Sequence, residues 1–342
     1  MNPELWAWGG FLAFVLLVLA IDLGVLNKKA HVVTIREALR FTAVVAFLAV
    51  CFGGLVYGLY EHHWLGLGLQ VDKLDGVMND GRLAAVKFFT GYVIELSLSA
   101  DNVFVIAMIF QYMRVPPLYQ HRVLFWGILG ALVMRGAMIL LGASLIARYH
   151  WILYLFGVFL VYTAIKMLVT REEEHEGDAP ADGVVLRLLR RAFPITPTYH
   201  EQHFAIQQDG RWVLTPLAVA LVLVETTDLI FAVDSIPAIF AITTDPFLVF
   251  TSNVFAILGL RSLYFALAGA IEKFRYLKVS LAAILGLVGV KMLVADLLKD
   301  YLGPNFNFWL LGMVAAILAA GVIASWARAR RDADARHDMP SD

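Results

Sequence analysis

The chain has 342 residues, of which 60% are hydrophobic and only 16% are charged, and its mean hydropathy is +0.74. This composition excludes an ordinary soluble two-domain protein and indicates a polytopic membrane protein. The net charge of −1 comes without a basic patch interleaved with aromatic residues, so no nucleic-acid partner is expected. Cys51 is the single cysteine, which excludes an intrachain disulfide and a cysteine cluster for zinc.

Long apolar segments recur along the whole chain. A helix needs about 20 mostly apolar residues to cross the hydrocarbon region, and nine segments approach that length: 7–26, 39–60, 84–112, 122–147, 151–169, 213–240, 247–270, 276–298 and 306–327. Because lipid cannot satisfy backbone polar groups, these segments predict an all-α membrane protein with about nine transmembrane helices. The first segment has neither a basic flank nor a cleavage site, so we expect it to remain as a helix.

The positions of lysine and arginine predict the orientation. Most of them fall in alternate loops and in the C-terminal tail, and these are expected to face the cytoplasm. The N-terminus is therefore predicted outside and the C-terminus inside, in a bacterial inner membrane. The external loop 61–83 carries Asp72, Asp75 and Asp80. We expect it to be a solvated loop rather than a mouth that attracts cations.

The chain divides into five regions. Residues 1–83 hold two added helices and the external loop, 84–169 a three-helix repeat, 170–212 a cytoplasmic linker, 213–298 a second repeat, and 299–342 the last helix with a basic tail. The linker is polar and is expected to be solvated. A regulatory metal site at its histidines is the less favoured alternative, because no spacing fixes the geometry of His175, His200 and His203.

The two halves repeat a motif of acids. Glu95 and Asp101 recur 133 residues later as Asp228 and Asp234, and Ile165 to Val169 resembles Val290 to Val294. Each unit spans three helices, so the second unit enters the membrane from the opposite side. The sequence therefore predicts two inverted three-helix repeats, an arrangement common in secondary transporters.

Acids in the middle of a membrane span need compensation, since each costs about 2.5–3.5 kcal/mol there. A bound cation is one form of compensation, and carboxylate, amide and hydroxyl oxygens suit Mg²⁺, Ca²⁺ or Mn²⁺. The candidate metal ligands are Glu95, Asp101, Asn102, Asp228 and Asp234. The candidate pathway or supporting residues are Ser97, Ser99, Glu225, Thr227, Ser235, Arg135 and Arg261.

Helix geometry leaves two arrangements open. On a regular helix Asp101 lies about 120° around and about 9 Å along the axis from Glu95, so the two acids cannot share one ion. Either the helix unwinds locally, or one acid of each copy binds the ion while the other acts elsewhere along the pathway. Pro237 favours unwinding in the second copy, because it cannot donate to the carbonyl of Val233.

The alternative to a cation site is simple ion pairing inside the membrane. The acids would pair with the intramembrane bases Arg135, Lys166, Arg261 and Lys291. Arg135 and Arg261 are candidates for both roles, neutralising the acids when no ion is bound and releasing them when one arrives. Acids that lose their ion in a low dielectric also accept protons readily, which allows metal to exchange for H⁺.

The segments 95–105, 228–238 and 253–262 resemble the TerC family of integral membrane proteins. The resemblance implies export of Mn²⁺ from the cytoplasm, with Glu95, Asp101, Asp228 and Asp234 as the motif acids. For some relatives it also implies supply of metal to exported proteins beside the secretion machinery.

The residues alone favour a divalent cation transporter without a prosthetic group. Two rival functions stay open. The closer alternative is a Ca²⁺ or Mg²⁺/H⁺ carrier. The second is a membrane partner of the secretion machinery that docks through the linker. The chain is also a candidate for forming a homo-oligomer. An aspartyl hydrolase is disfavoured, because no glycine-containing catalytic turn accompanies the acids. We therefore expect no enzymatic activity.

Overall fold

The computed structural model describes residues 3–21, 34–169, 182–208, 210–267, 277–294 and 306–337. Within them the chain forms ten α-helices and one short hairpin. The helices are α1 (Glu4–Ile21), α2 (Ile35–Glu61), α3 (Gly81–Tyr112), α4 (Pro117–Arg148), α5 (Ile152–Val169), α6 (Asp182–Ala192), α7 (Pro216–Phe240), α8 (Pro246–Leu267), α9 (Leu277–Leu293) and α10 (Phe306–His337). The strands are β1 (Ala205–Gln208) and β2 (Arg211–Leu214), which pair antiparallel.

The predicted all-α polytopic class is confirmed. Eight of the described helices are long and apolar enough to cross a membrane. The remaining predicted span corresponds to α9, which has 17 residues in the described part of the chain. The starts of three spans follow local rules, since α4, α7 and α8 each begin with a proline. Proline is tolerated there because the first N–H of a helix has no partner within the helix.

Contacts at the helix ends show that the two predicted repeats run in opposite directions. We call the side of the bundle that contains residues 62–80 and 241–245 face A. The chain before α3 meets the chain after α7 there, since Lys73 N donates to Thr244 Oγ1 at 3.0 Å. On the opposite side, face B, the chain after α3 meets the chain before α7, since Tyr199 Oη donates to the Met113 carbonyl at 2.7 Å. Helices α3 and α7 are therefore antiparallel.

Packing between the repeats is also symmetric when the two repeats are interchanged. Helix α3 packs on α8 and α4 packs on α7, and each pair becomes the other when the repeats are interchanged. Helix α5 packs most extensively on α9, its own counterpart. At that crossing a Cβ on Gly157 would lie 3.2 Å from the Gly289 carbonyl, so the two backbones are nearly in contact. These contacts support the inverted repeat that the sequence predicts.

The linker differs from the solvated segment that we predicted. Residues 170–181 and 209 lie outside the described part, and so does His175. From Asp182 onward the chain forms α6 and the hairpin, and Val185, Leu186 and Leu189 pack against the buried cluster at face B. An amphipathic helix gains apolar burial there that an extended solvated chain would lose.

The loop before α3 also differs from the prediction, because Asp72 is buried rather than solvated. Its relative exposure is 3%, and its carboxylate accepts hydrogen bonds from Thr243 and Thr244 beyond α7. Asp80 caps α3 by accepting from Leu83 N at 2.7 Å. The expectation of a merely solvated loop was wrong for Asp72, since the second repeat supplies partners that no local pattern reveals.

Candidate functional site

A column of buried oxygen atoms lines one face of α3. Glu95, Ser99 and Asn102 follow each other at intervals of four and three residues, so their side chains stand above one another. All three are buried; Glu95 Oε1 has an ionic partner, Arg135, while Ser99 Oγ and Asn102 Oδ1 accept no hydrogen bond. We call these three residues the α3 column. Buried acceptors without donors are uncommon in folded proteins and ask for an explanation.

Arg135 of α4 connects the first acid of each repeat. Its guanidinium forms an ion pair with Glu95 of α3, and it forms a second one with Asp228 of α7, where Nη2 lies 2.9 Å from Oδ1. Nε lies 3.3 Å from the other carboxylate oxygen, so the pair with Asp228 is bidentate. The Arg135 side chain is 1% exposed. One buried cation thus compensates two buried carboxylates from different repeats.

The matching face of α7 is filled by this arginine. Asp228, Ala232 and Ser235 stand 133 residues after the members of the α3 column and share one face of α7 in the same way. Arg135 Nη1 also contacts Ser235 Oγ at 3.4 Å. The α7 face is therefore occupied at both of its polar positions, while Ser99 and Asn102 of the α3 column have buried oxygens that accept nothing.

Asn253 of α8 is a member of this network that sequence reasoning missed. Its Oδ1 accepts from Arg135 Nη1 at 3.2 Å, and its Nδ2 donates to the Val249 carbonyl at 3.1 Å. The second bond fixes the amide so that its oxygen points at the guanidinium. Asn253 lies in a segment that resembles the TerC family, but nothing in its spacing indicates that it faces Arg135.

Glu225 occupies a pocket opposite a glycine. A Cβ on Gly130 of α4 would collide with the Glu225 carboxylate, so a larger residue at position 130 would force the Glu225 side chain to move. Glu225 Oε2 is buried and accepts no hydrogen bond. Asp228 lies one helical turn away on α7, and the two carboxylates repel each other in a low dielectric. The supporting role of Glu225 stays a prediction.

The second acid of each motif lies away from the first. Asp234 accepts from Thr163 Oγ1 of α5 at 3.4 Å and is within electrostatic range of Lys166. Asp101 is half-buried on α3 and has a polar or charged partner. Neither residue belongs to the Arg135 network described above. Both motif helices are continuous, although Pro237 lies inside α7, so local unwinding, one of the two arrangements left open by the sequence, is not seen.

The remaining predicted residues have contacts of their own. Arg261 of α8 donates to His121 Nε2 at 3.1 Å and lies 5.3 Å from the centre of the Phe41 ring. Ser97 and Thr227 donate to the carbonyls one turn earlier in their own helices, at 2.6 and 2.8 Å. A hydroxyl bonded in this way keeps its oxygen lone pairs for another ligand.

The predicted acids do not form one shared cage. Among the described residues, no three or more His, Cys, Asp or Glu side chains converge as a metal site would require. Ion pairing, the alternative to a cation site, is correct for Glu95 and Asp228. It does not account for the unpaired oxygens of Ser99 and Asn102.

The helical fold and this network define a class, a polytopic membrane protein in which inverted repeats bring buried carboxylates to one intramembrane arginine. The family model described as the integral membrane protein TerC family matches residues 81–333. The chain therefore belongs to the TerC family, as its motifs predict.

Relatives cover nearly the whole chain. An uncharacterised membrane protein of Myxococcus xanthus is 48% identical over 99% of this chain and 97% of its own length. A protein of Escherichia coli K12 named as a proposed membrane-bound redox modulator, Alx, is 43% identical over 95% of this chain and 96% of its own. A membrane protein of Rickettsia felis is 36% identical over 93% and 99%. No solved structure matches the chain.

Proposed function

We propose that the chain exports a divalent metal cation, with Mn²⁺ as the preferred ion, through a pathway lined by the α3 column. The buried oxygens of Ser99 and Asn102, which accept no hydrogen bond and follow the Arg135-paired carboxylate of Glu95 along α3, carry this proposal. Leaving a buried acceptor unsatisfied costs about 1–3 kcal/mol. A passing cation would bind several of these oxygens at once, whereas a protein side chain that donated hydrogen bonds to them would block the pathway.

The types of oxygen favour a hard or borderline ion. Carboxylate, hydroxyl and amide oxygens are the ligands of Mg²⁺, Ca²⁺ and Mn²⁺, and no thiolate or imidazole accompanies them in the α3 column. The choice of Mn²⁺ among these ions rests on the resemblance to the TerC family. The names of the relatives specify neither an ion nor a reaction.

Arg135 supports a mechanism of competition. Its guanidinium stands between Glu95 and Asp228, in the position where a metal ion bridging the repeats would stand. An arriving divalent cation would take over the Glu95 carboxylate, and Arg135 would keep its bidentate pair with Asp228. When the ion leaves, the guanidinium returns to Glu95. Exchange for H⁺ is part of this proposal, with Glu225 as a carboxylate already without a donor.

The proposed setting is the bacterial inner membrane, with face B toward the cytoplasm. Exposed arginines on face B support this orientation under the positive-inside rule. They are Arg114, Arg187, Arg190, Arg191 and Arg211.

The test is Mn²⁺ efflux from loaded cells that lack their own exporters, followed by the same measurement with purified protein in liposomes. Wild type is compared with Glu95→Gln and Asp228→Asn at matched membrane expression, and Glu201→Gln is the control because Glu201 is exposed at face B. We expect both site variants to lose efflux and the control to keep it. If both site variants export like wild type, the pathway proposed here is wrong.

Two other functions are outcomes of the same test. Efflux of Ca²⁺ or Mg²⁺ in preference to Mn²⁺ would identify a different carrier. A protein that acts only as a partner of the secretion machinery would show no cation flux of any kind in liposomes.

A further inference from the structure

A second buried cluster of charges lies at face A, remote from the Arg135 network. It joins the loop before α3 to the turn between α7 and α8. We call it the face A clamp. Its members are Asp72, Asp75, Asn79, Lys87, Thr243 and Thr244.

Lys87 is the cation of the clamp. Its Nζ lies 2.8 Å from Asp72 Oδ2, 2.7 Å from Asp75 Oδ2 and 2.7 Å from Asn79 Oδ1. The ammonium group has three protons, so these three contacts use all of them. The side chains of Lys87 and Asp72 are 0% exposed. Such a pair is retained only when hydrogen bonds compensate the loss of solvation.

Asp72 carries the connection to the second repeat. Its carboxylate accepts from Thr243 Oγ1 at 2.6 Å, from Thr244 Oγ1 at 2.7 Å and from Thr244 N at 3.1 Å. Burial by itself would raise the pKa of Asp72, but the charge of Lys87 and these hydrogen bonds hold it well below its usual range. The carboxylate is therefore ionised, and it ties two segments separated by about half of the chain.

The turn that receives Asp72 is held by further elements. Lys291 of α9 donates to the Ala241 carbonyl at 2.7 Å, and Tyr60 of α2 donates to Asp245 Oδ2 at 2.8 Å. Asp245 in turn caps α8 by accepting from Phe247 N at 3.0 Å. Face A thus holds buried and part-buried polar contacts that join α2, α3, α8 and α9 to the turn after α7.

Two hydrogen bonds between α4 and its neighbours at face B are of another kind. Tyr264 Oη donates to Gln120 Oε1 at 3.0 Å, and Arg122 lies 3.4 Å from Gln202 Oε1. These residues are half-buried, apart from the buried Tyr264, and the bonds do not join oppositely charged groups. A buried ion pair of the type at face A has no counterpart among these bonds.

We propose that the face A clamp is the gate through which the transported cation leaves toward face A, and that this structure has the gate closed. The inference rests on the proposed transport function. Lys87 precedes Glu95 by eight residues on α3, so the clamp lies about 12 Å along the helix from the α3 column. When the loop and the turn separate, water solvates Asp72 and Lys87, which offsets the loss of their contacts. Such a cluster has two discrete states, closed and dry or open and wet.

The gate is tested by the accessibility of Thr90, which lies one helical turn inward from Lys87 and is 0% exposed. Thr90→Cys is made in a Cys51→Ser background, so that position 90 carries the single thiol of the chain. The purified protein is placed in lipid nanodiscs, which leave both faces open to a water-soluble maleimide. With the clamp intact we expect slow labelling at position 90.

Asp72→Asn removes the charge that the clamp depends on. We expect it to increase the labelling rate by about tenfold or more, which corresponds to a shift of about 1.4 kcal/mol in the opening equilibrium. Lys73→Gln is the matched control, because Lys73 is the next residue and its exposed side chain donates to the Ala147 carbonyl outside the clamp. The control should label as slowly as the parent.

A milder variant covers the case in which Asp72→Asn does not fold. Thr244→Val removes one hydroxyl donor and keeps the ion pair, so it should give a smaller increase in labelling. The gate is disproved if folded Asp72→Asn and Thr244→Val both label at the parental rate. Labelling does not require transport, so a negative Mn²⁺ efflux result with a positive labelling result would overturn the proposed function and leave the moving clamp in place.

Discussion

The two motif helices have the same pattern of polar residues but different surroundings. On α7, Asp228 and Ser235 both contact Arg135. On α3, the corresponding Glu95 shares the same arginine, while Asn102 Oδ1 accepts no hydrogen bond. The difference shows that a repeated motif does not give a repeated site. Arg135 of α4 breaks the symmetry, because it contacts both polar positions of the α7 face and leaves the oxygens of Ser99 and Asn102 on the α3 face without a hydrogen bond.

The largest effect is expected from removing the shared cation. Arg135→Met leaves Glu95 and Asp228 buried without compensation, so the free energy of unfolding should fall by about 3–5 kcal/mol. Thermal unfolding of the purified protein in detergent measures this. Arg135→Lys keeps the charge but not the bidentate geometry and should lose less. Equal stability of Arg135→Met and wild type would show that the two carboxylates are compensated elsewhere.

The next effect concerns the pocket that α4 provides for Glu225. Gly130→Ala puts a methyl group where the carboxylate lies, and overpacking of this kind costs about 1–3 kcal/mol. Glu225→Ala removes the collision, so the double variant should recover most of the loss. A double-mutant cycle of unfolding free energies measures the coupling. Additive losses would mean that the cost of Gly130→Ala does not come from a collision with Glu225.

Asn253 tests whether the arginine needs to be positioned. Asn253→Ala removes one acceptor of Arg135 Nη1 and should cost about 1–2 kcal/mol of stability. Asn253→Asp keeps an acceptor of the same shape and adds a charge near the guanidinium. If Arg135 competes with the transported ion, this added charge should hold the arginine more firmly and lower Mn²⁺ efflux at matched expression. Unchanged efflux would separate Arg135 from the pathway.

The smallest effect compares equivalent positions on the two helices. Ser99→Ala removes one neutral oxygen from the α3 column, which should raise the Mn²⁺ concentration for half-maximal transport by about tenfold or less. Ala232→Ser adds the equivalent hydroxyl to α7, where Arg135 already occupies the face. It should change the Mn²⁺ concentration for half-maximal transport little. Efflux measured over a range of Mn²⁺ concentrations compares the two variants with wild type. Equal effects of both substitutions would contradict the asymmetry.

Much of the architecture follows from patterns that local physics dictates. The apolar lengths predicted the spans, and the odd number of helices per repeat predicted the inversion that contacts such as Tyr199 to Met113 now support. The sequence also named Arg135 as a base that pairs with the motif acids, although it did not predict that Arg135 pairs with an acid of each repeat. Glu95, Ser99 and Asn102 were all candidates from the sequence, and their spacing of four and three residues places them on one face of α3.

Other features could not be predicted because they depend on partners far along the chain. The burial of Asp72 requires Thr243 and Thr244, and a cluster of acids in a polar loop gives no signal of that docking. The role of Gly130 depends on which helix faces it. Side-chain direction across an interhelical contact is set by tertiary packing, so residues such as Asn253 become visible only in three dimensions.

The close crossing of α5 and α9 at Gly157 and Gly289 has a consequence for how such a chain is assembled. In a two-fold dimer of identical subunits, an element on the symmetry axis contacts its own copy. Helices α5 and α9 meet in this way within one polypeptide. The crossing therefore resembles an isologous dimer interface whose two halves belong to one polypeptide. It lies on the axis that relates the two repeats. A single chain thereby contains both orientations that separate subunits would otherwise have to reach by inserting into the membrane in opposite directions.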